Sequence, residues 1–126
     1  MEASLKIQAS LIAQLKTKGF RVYDFPPKSV KYPFIMIGED RQQDLDVKNG
    51  DYVNVSSTIL IFSLYNGKKE VKQIMEQIRQ VCHNIEVDGF KIVGATVEDS
   101  FTVLDEKKQV TQGVLVVNFK LIKGVK

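Results

Sequence analysis

The sequence predicts an α+β domain: two amphipathic helices packed on a mostly antiparallel sheet of about five strands, in the order α-β-β-β-α-β-β, with a long projecting hairpin. Three observations carry this reading. Two segments repeat apolar residues at helical spacing, one at the start of the chain and one past its middle. The segments between and after them are β-prone or alternate with period two, and are bounded by Pro, Asn-Gly or Asp-Gly. The last of these strands carries a uniformly apolar set, Leu115, Val117, Phe119 and Leu121, which supplies the sheet face that both helices need.

Each element follows from its own pattern. Ala3, Ile7, Leu11 and Leu15 recur every four residues, with Leu5 and Ile12 widening the stripe, so a helix is expected over residues 3–18. Lys16 and Lys18 suit the negative end of its dipole, and Gly19 is a stop. Residues 20–25 are short and β-prone, and Pro26 and Pro27 end them. After a linker at 28–31, residues 34–41 read as a strand. Residues 42–51 lack periodicity and read as an exposed loop. Residues 52–66 give the clearest alternation. Fifteen extended residues reach ~50 Å, against a radius of gyration of ~14 Å for a domain of this size, so this strand and its partner are expected to project or bend. Val71, Ile74, Met75, Ile78, Val81, Cys82 and Ile85 trace the second helix, over 68–84. Asp88-Gly89 is a turn, and strands at 90–104 and 109–123 flank a polar tip at Asp105, Glu106, Lys107 and Lys108.

The 126 residues form one domain, 1–126, without internal repeats. Hydrophobic residues at 44% and charged residues at 26% exclude a disordered or low-complexity chain. A single cysteine allows no internal disulfide and fits a reducing compartment. No apolar run reaches the ~18 residues of a membrane span, and residues 1–18 lack the features of a signal peptide. The expectation is a cytoplasmically made protein with no membrane partner.

The residues for chemistry are missing. His83 is the only histidine, and adjacent residues on a helix point about 100° apart, so Cys82 and His83 do not address one substrate. Cys82 falls on the apolar stripe and is expected to be buried, and His83 to face solvent. One Cys and one His cannot build a zinc site, and Gly67-Lys68 lacks the glycine-rich run of a phosphate loop. Asp44, Asp46, Asn49 and Asp51 fail as a calcium loop, because Lys48 and Val55 stand where oxygen ligands are required. No catalytic residue, metal or cofactor is assigned. Charge is uneven: residues 34–66 hold five acids and two bases, whereas residues 1–33 hold six bases and two acids. That pattern suits head-to-tail contact between identical subunits and equally suits ordinary surface charge. Tyr23, Phe25, Tyr32 and Phe34, interleaved with Arg21, Lys28 and Lys31, read as a nucleic-acid surface or as aromatics packed on the core. The residues thus argue for an interaction module.

Two motifs go further. Arg21-Val22-Tyr23-Asp24-Phe25-Pro26-Pro27 and Tyr32-Pro33-Phe34-Ile35-Met36-Ile37-Gly38-Glu39 resemble the tail-terminator (tail-completion, or tail-to-head joining) family of long-tailed bacteriophages and prophages. The element order resembles that family over nearly the whole chain. Ser63-Leu64-Tyr65 and Phe101-Thr102-Val103 depart from its pattern, at the end of the long strand and before the final turn. The resemblance implies a structural virion protein, not an enzyme. Such a protein forms a ring, typically a hexamer, that caps the tail tube, stops tail polymerisation and makes the tail side of the head–tail joint. Its implied partners are further copies of itself, the tail tube protein and a head connector or stopper protein, with phage DNA passing through the channel without specific binding. Asp44, Asp46, Lys48 and Asp51 are the first candidates for an axial protein interface, and Asp105, Glu106, Lys107 and Lys108 the second. The alternatives are another head–tail joining component, or a non-viral α+β module that binds a ligand or nucleic acid.

Overall fold

Ala3, Ile7, Leu11 and Leu15 are all buried, which makes α1 (Glu2–Thr17) a helix with one apolar face. The computed structural model describes residues 2–25, 28–47, 50–64 and 68–123, with the backbone alone at positions 44–47, 50 and 51. Leu5 does not join the stripe. It lies about 200° around the helix from Ala3 and is exposed. The helix stops as its sequence predicts. Gly19 takes φ 95°, its N–H bonds the Lys16 carbonyl, and the Phe20 N–H reaches back to the Leu15 carbonyl, satisfying the last carbonyls of the helix. At the other end the Gln42 side-chain oxygen accepts from the Ser4 N–H at 3.0 Å, satisfying one of the free amides of the first turn.

The remaining elements are β1 (Val22–Tyr23), β2 (Phe34–Val47), β3 (Gly50–Ser63), α2 (Lys69–His83), β4 (Phe90–Asp105) and β5 (Val110–Lys123). They form one five-stranded sheet in the order β1-β2-β3-β5-β4, antiparallel except for the β1–β2 pair. Of the β-prone segment 20–25, only Val22 and Tyr23 pair, with Ile35 and Met36. Both helices cover one face of the sheet. There Ile35, Ile37, Val55, Ile59, Ile61, Leu115, Val117, Phe119 and Leu121 meet Ile7, Leu11, Leu15, Val71, Ile78 and Cys82. Leu115, Val117, Phe119 and Leu121 are each at most 2% exposed, as their alternation predicts.

The segment 42–51 is not a loop. β2 runs on to Val47, and β3 begins at Gly50, with Asp44 opposite Val53, Asp46 opposite Asp51 and Val47 opposite Gly50. Two features hid the strand. A bulge between Ile37 and Asp40 sets Gly38 and Glu39 against Thr58 alone, which resets the alternation by one residue. The stretch from Gln42 to Asp46 is also polar at every position but Leu45, so the period has no apolar contrast to show. The long β3 strand is paired to β5 from Tyr52–Ile122 to Ser63–Thr111. The hairpin therefore continues the sheet, and only the Asp46–Asp51 and Val47–Gly50 pairs pass the last β5 pair. Fourteen-residue strands reach ~46 Å, whereas a sixteen-residue helix reaches ~24 Å. The sheet consequently outruns the helices that cover it.

Candidate functional site

Cys82 and His83 lie as the helical stripe predicts. Cys82 is 1% exposed inside the core, while His83 faces solvent. Burial pushes the Cys82 thiol up to about 12 from its ordinary 9.0, so it is neither a nucleophile nor a thiolate ligand at neutral pH. The sign of the linkage follows. A group whose folded pKa is raised contributes stability that is complete below its unfolded pKa and is lost as pH climbs through the folded one. Stability of the wild-type chain is expected to fall between about pH 9 and 12 more steeply than that of Cys82→Ala, measured by urea unfolding across that range. Equal slopes would contradict the burial of the thiol. Among the described residues, no group of three or more His, Cys, Asp and Glu is placed to hold a metal.

The two predicted interface clusters sit at opposite ends of the sheet. Asp44, Asp46 and Asp51 belong to the β2–β3 hairpin, in and beyond the rungs next to Tyr52–Ile122. Lys48 lies outside the described residues. Asp105, Glu106, Lys107 and Lys108 form the β4–β5 turn, next to the Ser63–Thr111 rung. Eleven rungs separate Tyr52 from Ser63, which amounts to ~36 Å along the strands. The two clusters therefore belong to separate sites. The second is a built turn. Asp105 Oδ1 accepts from the Lys108 N–H at 3.2 Å, Gln109 Nε2 donates to the Glu106 carbonyl at 2.7 Å, and Gln109 takes φ 55°. All four candidate side chains there are exposed.

The face of the sheet away from the helices is divided. Its middle is polar: the Ser56 hydroxyl donates to Glu98 at 2.6 Å and accepts from the Asn118 amide at 3.1 Å. Toward the hairpin end, Lys120 Nζ lies 5.1 Å from the Tyr52 ring centroid, a cation–π distance. Toward the β4–β5 turn the face is apolar, with Met36, Leu60, Phe62, Val114 and Val116 half-buried. Phe101, Val103 and Leu104 are 46%, 48% and 46% exposed on the edge strand β4. Sequence reading placed these three in a strand but missed their exposure, since alternation does not show which strand lies at an edge. A groove between α2 and β4 runs behind them, lined by Lys72, Met75, Glu76 and Arg79. The hydrogen bond from Arg79 holds the Glu76 carboxyl below its ordinary range.

The two sequence motifs build one corner of this face. Val22 and Tyr23 form β1, the Ile35 N–H bonds the Arg21 carbonyl at 2.8 Å, and Arg21 Nη1 donates to the Pro33 carbonyl at 3.2 Å. Phe34 stacks on Phe62 at 4.8 Å and meets Tyr32 and Tyr23 at 5.1 and 6.0 Å. The aromatics read as a nucleic-acid surface or as packing are thus engaged with one another, except Phe25, which is 79% exposed. Over residues 3–121 the sequence matches the family described as Tail completion protein gp17.

The chain belongs to that family. The expected resemblance to tail-completion proteins is thereby borne out over nearly the whole length, and with it a structural role and not an enzymatic one. The fold agrees. A chain from a solved structure described as "Virion of native gene transfer agent (GTA) particle" superposes with a TM-score of 0.78. The alignment covers 93% of this chain and 95% of that one at 18% identity, a likeness of fold. No curated protein matches the sequence. For a tail completion protein, the surfaces that matter are those other proteins can reach. Here they include the two ends of the sheet, its open face and its two edges.

Proposed function

We propose that this tail completion protein caps the tail tube as a ring of identical copies, a hexamer. In this reading it stops tube polymerisation and makes the tail side of the head–tail joint. Its partners are its own copies, the tail tube protein and a head connector or stopper protein, and phage DNA crosses the channel without specific binding. One observation supports this above the others: two charged hairpin ends lie ~36 Å apart along the strands, with the helix layer between them. A subunit with one polar contact surface at each end of a long sheet suits a piece set between two different structures. Asp44, Asp46, Lys48 and Asp51 make one axial contact, and Asp105, Glu106, Lys107 and Lys108 the other. The site of action is the tail of the virion at the head–tail interface, after synthesis in the bacterial host cytoplasm.

Co-assembly with tail-tube protein from the same genome tests this. Native mass spectrometry is expected to count six copies, and negative-stain microscopy to show a ring at one tube end with growth arrested. Replacing Asp44, Asp46 and Asp51 together by Asn is expected to lower tube-end occupancy at least tenfold without unfolding the chain. Tubes that grow normally in its presence, with capture by connector protein alone, would transfer the chain to the connector side. Unchanged occupancy in the triple variant would remove the hairpin end from the contact.

A further inference from the structure

Open sheet edges are templates for another strand, and folded proteins defend them with charges, bulges, prolines or covers. Both edges of this sheet show where such defence is present and where it is missing. On one side β1 covers β2 only at Ile35 and Met36, and the rest of β2 passes through Glu39, Asp40, Arg41, Asp44 and Asp46. On the other side β4 is bulged between Ile92 and Gly94 and between Val97 and Asp99, and carries Lys91, Glu98 and Asp99. From Ser100 to Leu104 it has no charge, no proline and no bulge, and its pairing with β5 is regular. Those five residues hold Phe101, Val103 and Leu104, which are nearly half exposed.

The far edge offers the matching surface at the same height. A single rung crosses the whole sheet: Tyr23, Met36, Leu60, Val114 and Phe101 are successive partners on β1, β2, β3, β5 and β4. Phe101 ends this rung on one side and Tyr23 ends it on the other. Phe25, two residues on from Tyr23, is exposed, and the half-buried Tyr32 packs on Phe34, which Tyr23 also meets. Strand direction also matches. β1 is parallel to β2, and β4 runs opposite to β2 through the three antiparallel pairs β2–β3, β3–β5 and β5–β4, so β4 of one copy meets β1 of the next antiparallel. Two different patches on opposite edges make a heterologous contact, which closes into a ring when each copy is rotated relative to the last.

We infer that the undefended edge at residues 100–104 docks on the Tyr23–Phe25 edge of a second copy of this chain, continuing the sheet from subunit to subunit. The contact rests on the ring reading above and names its lateral interface, distinct from the axial contacts at the two hairpin ends. The apolar end of the open face then becomes a band shared by neighbours. The acidic free edge of β2 is left outside the contact.

Cysteines at the two ends of the rung test this. The full chain carrying Tyr23→Cys and Phe101→Cys, at high concentration and on tubes of its own tail-tube protein, is treated with a short bis-maleimide that tolerates a small register offset. A ladder of covalent oligomers is expected from the double variant, and monomer from each single variant. Native Cys82 is an internal control, buried and therefore unreactive. Dimers from Phe101→Cys alone would mean an isologous β4–β4 contact and overturn the proposal. So would an absence of cross-links while wild-type rings form, which leaves the ring reading standing. A ladder without rings at tube ends would do the reverse, upholding the contact and removing the capping role. As a second measurement, Phe101→Lys is expected to raise the concentration needed for self-association at least tenfold. Its circular dichroism and melting temperature should stay near wild type, because the side chain is half exposed.

Discussion

Phe119→Ala is expected to destabilise the chain by about 3–5 kcal/mol, the range for removing a buried aromatic ring. Phe119 is fully buried on the helix-covered face of β5. Its partner on β3 is Val55 and its partner on β4 is Ala95. A large ring beside a small neighbour is the kind of alternation that fills a core without voids, and Ala95 cannot expand into the space left behind. The loss combines the transfer term for the ring with a cavity term, because both flanking strands are held by their own ladders and relax little. Domains of this kind have a total stability of about 5–15 kcal/mol, so the variant is expected near the edge of folding. Urea unfolding of the two chains checks it, and a loss under 1 kcal/mol would mean that the core collapses freely around position 119.

Gly113→Val is expected to cost up to about 3 kcal/mol by overpacking. The reason is steric and not conformational. A Cβ built at Gly113 lies 2.5 Å from Val71 Cγ1 and 2.9 Å from Met75 Sδ. Helix α2 therefore approaches β5 over a position with no side chain, and Gly113 sets that approach. Any side chain there lifts the first two turns of α2 or forces Val71 and Met75 from their rotamers. Val71→Ala removes the methyl nearest the clash, so Gly113→Ala and Val71→Ala are expected to couple favourably by at least about 0.5 kcal/mol, as contacting positions do. Strictly additive losses in that double-mutant cycle would contradict the close approach.

Much of this architecture is legible in the residues because helices and strands bury faces of different period. The four-residue spacing of Ala3, Ile7, Leu11 and Leu15 and the alternation of Leu115, Val117, Phe119 and Leu121 are read correctly because each set is wholly buried. Leu5 was misread because a single apolar residue carries no phase of its own. Residues 42–51 were misread because a bulge resets the alternation and because polar residues near the end of a sheet fit a strand as well as a loop. Asn49-Gly50, a hairpin dipeptide, was the signal that could have found that strand.

The candidate surfaces divide in the same way. The polar clusters of Asp44 to Asp51 and Asp105 to Lys108 stand out in the sequence, as does the tail-completion motif around Tyr23 and Phe34. The chain by itself thus determined the order of its elements, its buried stripes and its family. Tertiary structure alone decided that the two charged clusters lie at opposite ends of one sheet, that β4 and not β5 is the outer strand, and that Phe101 and Tyr23 end the same rung. The physical reason is that local periodicity encodes which side of a strand is buried. Strand order and relative height arise from pairings between residues up to 70 positions apart, such as Tyr52 and Ile122, and no local pattern records them.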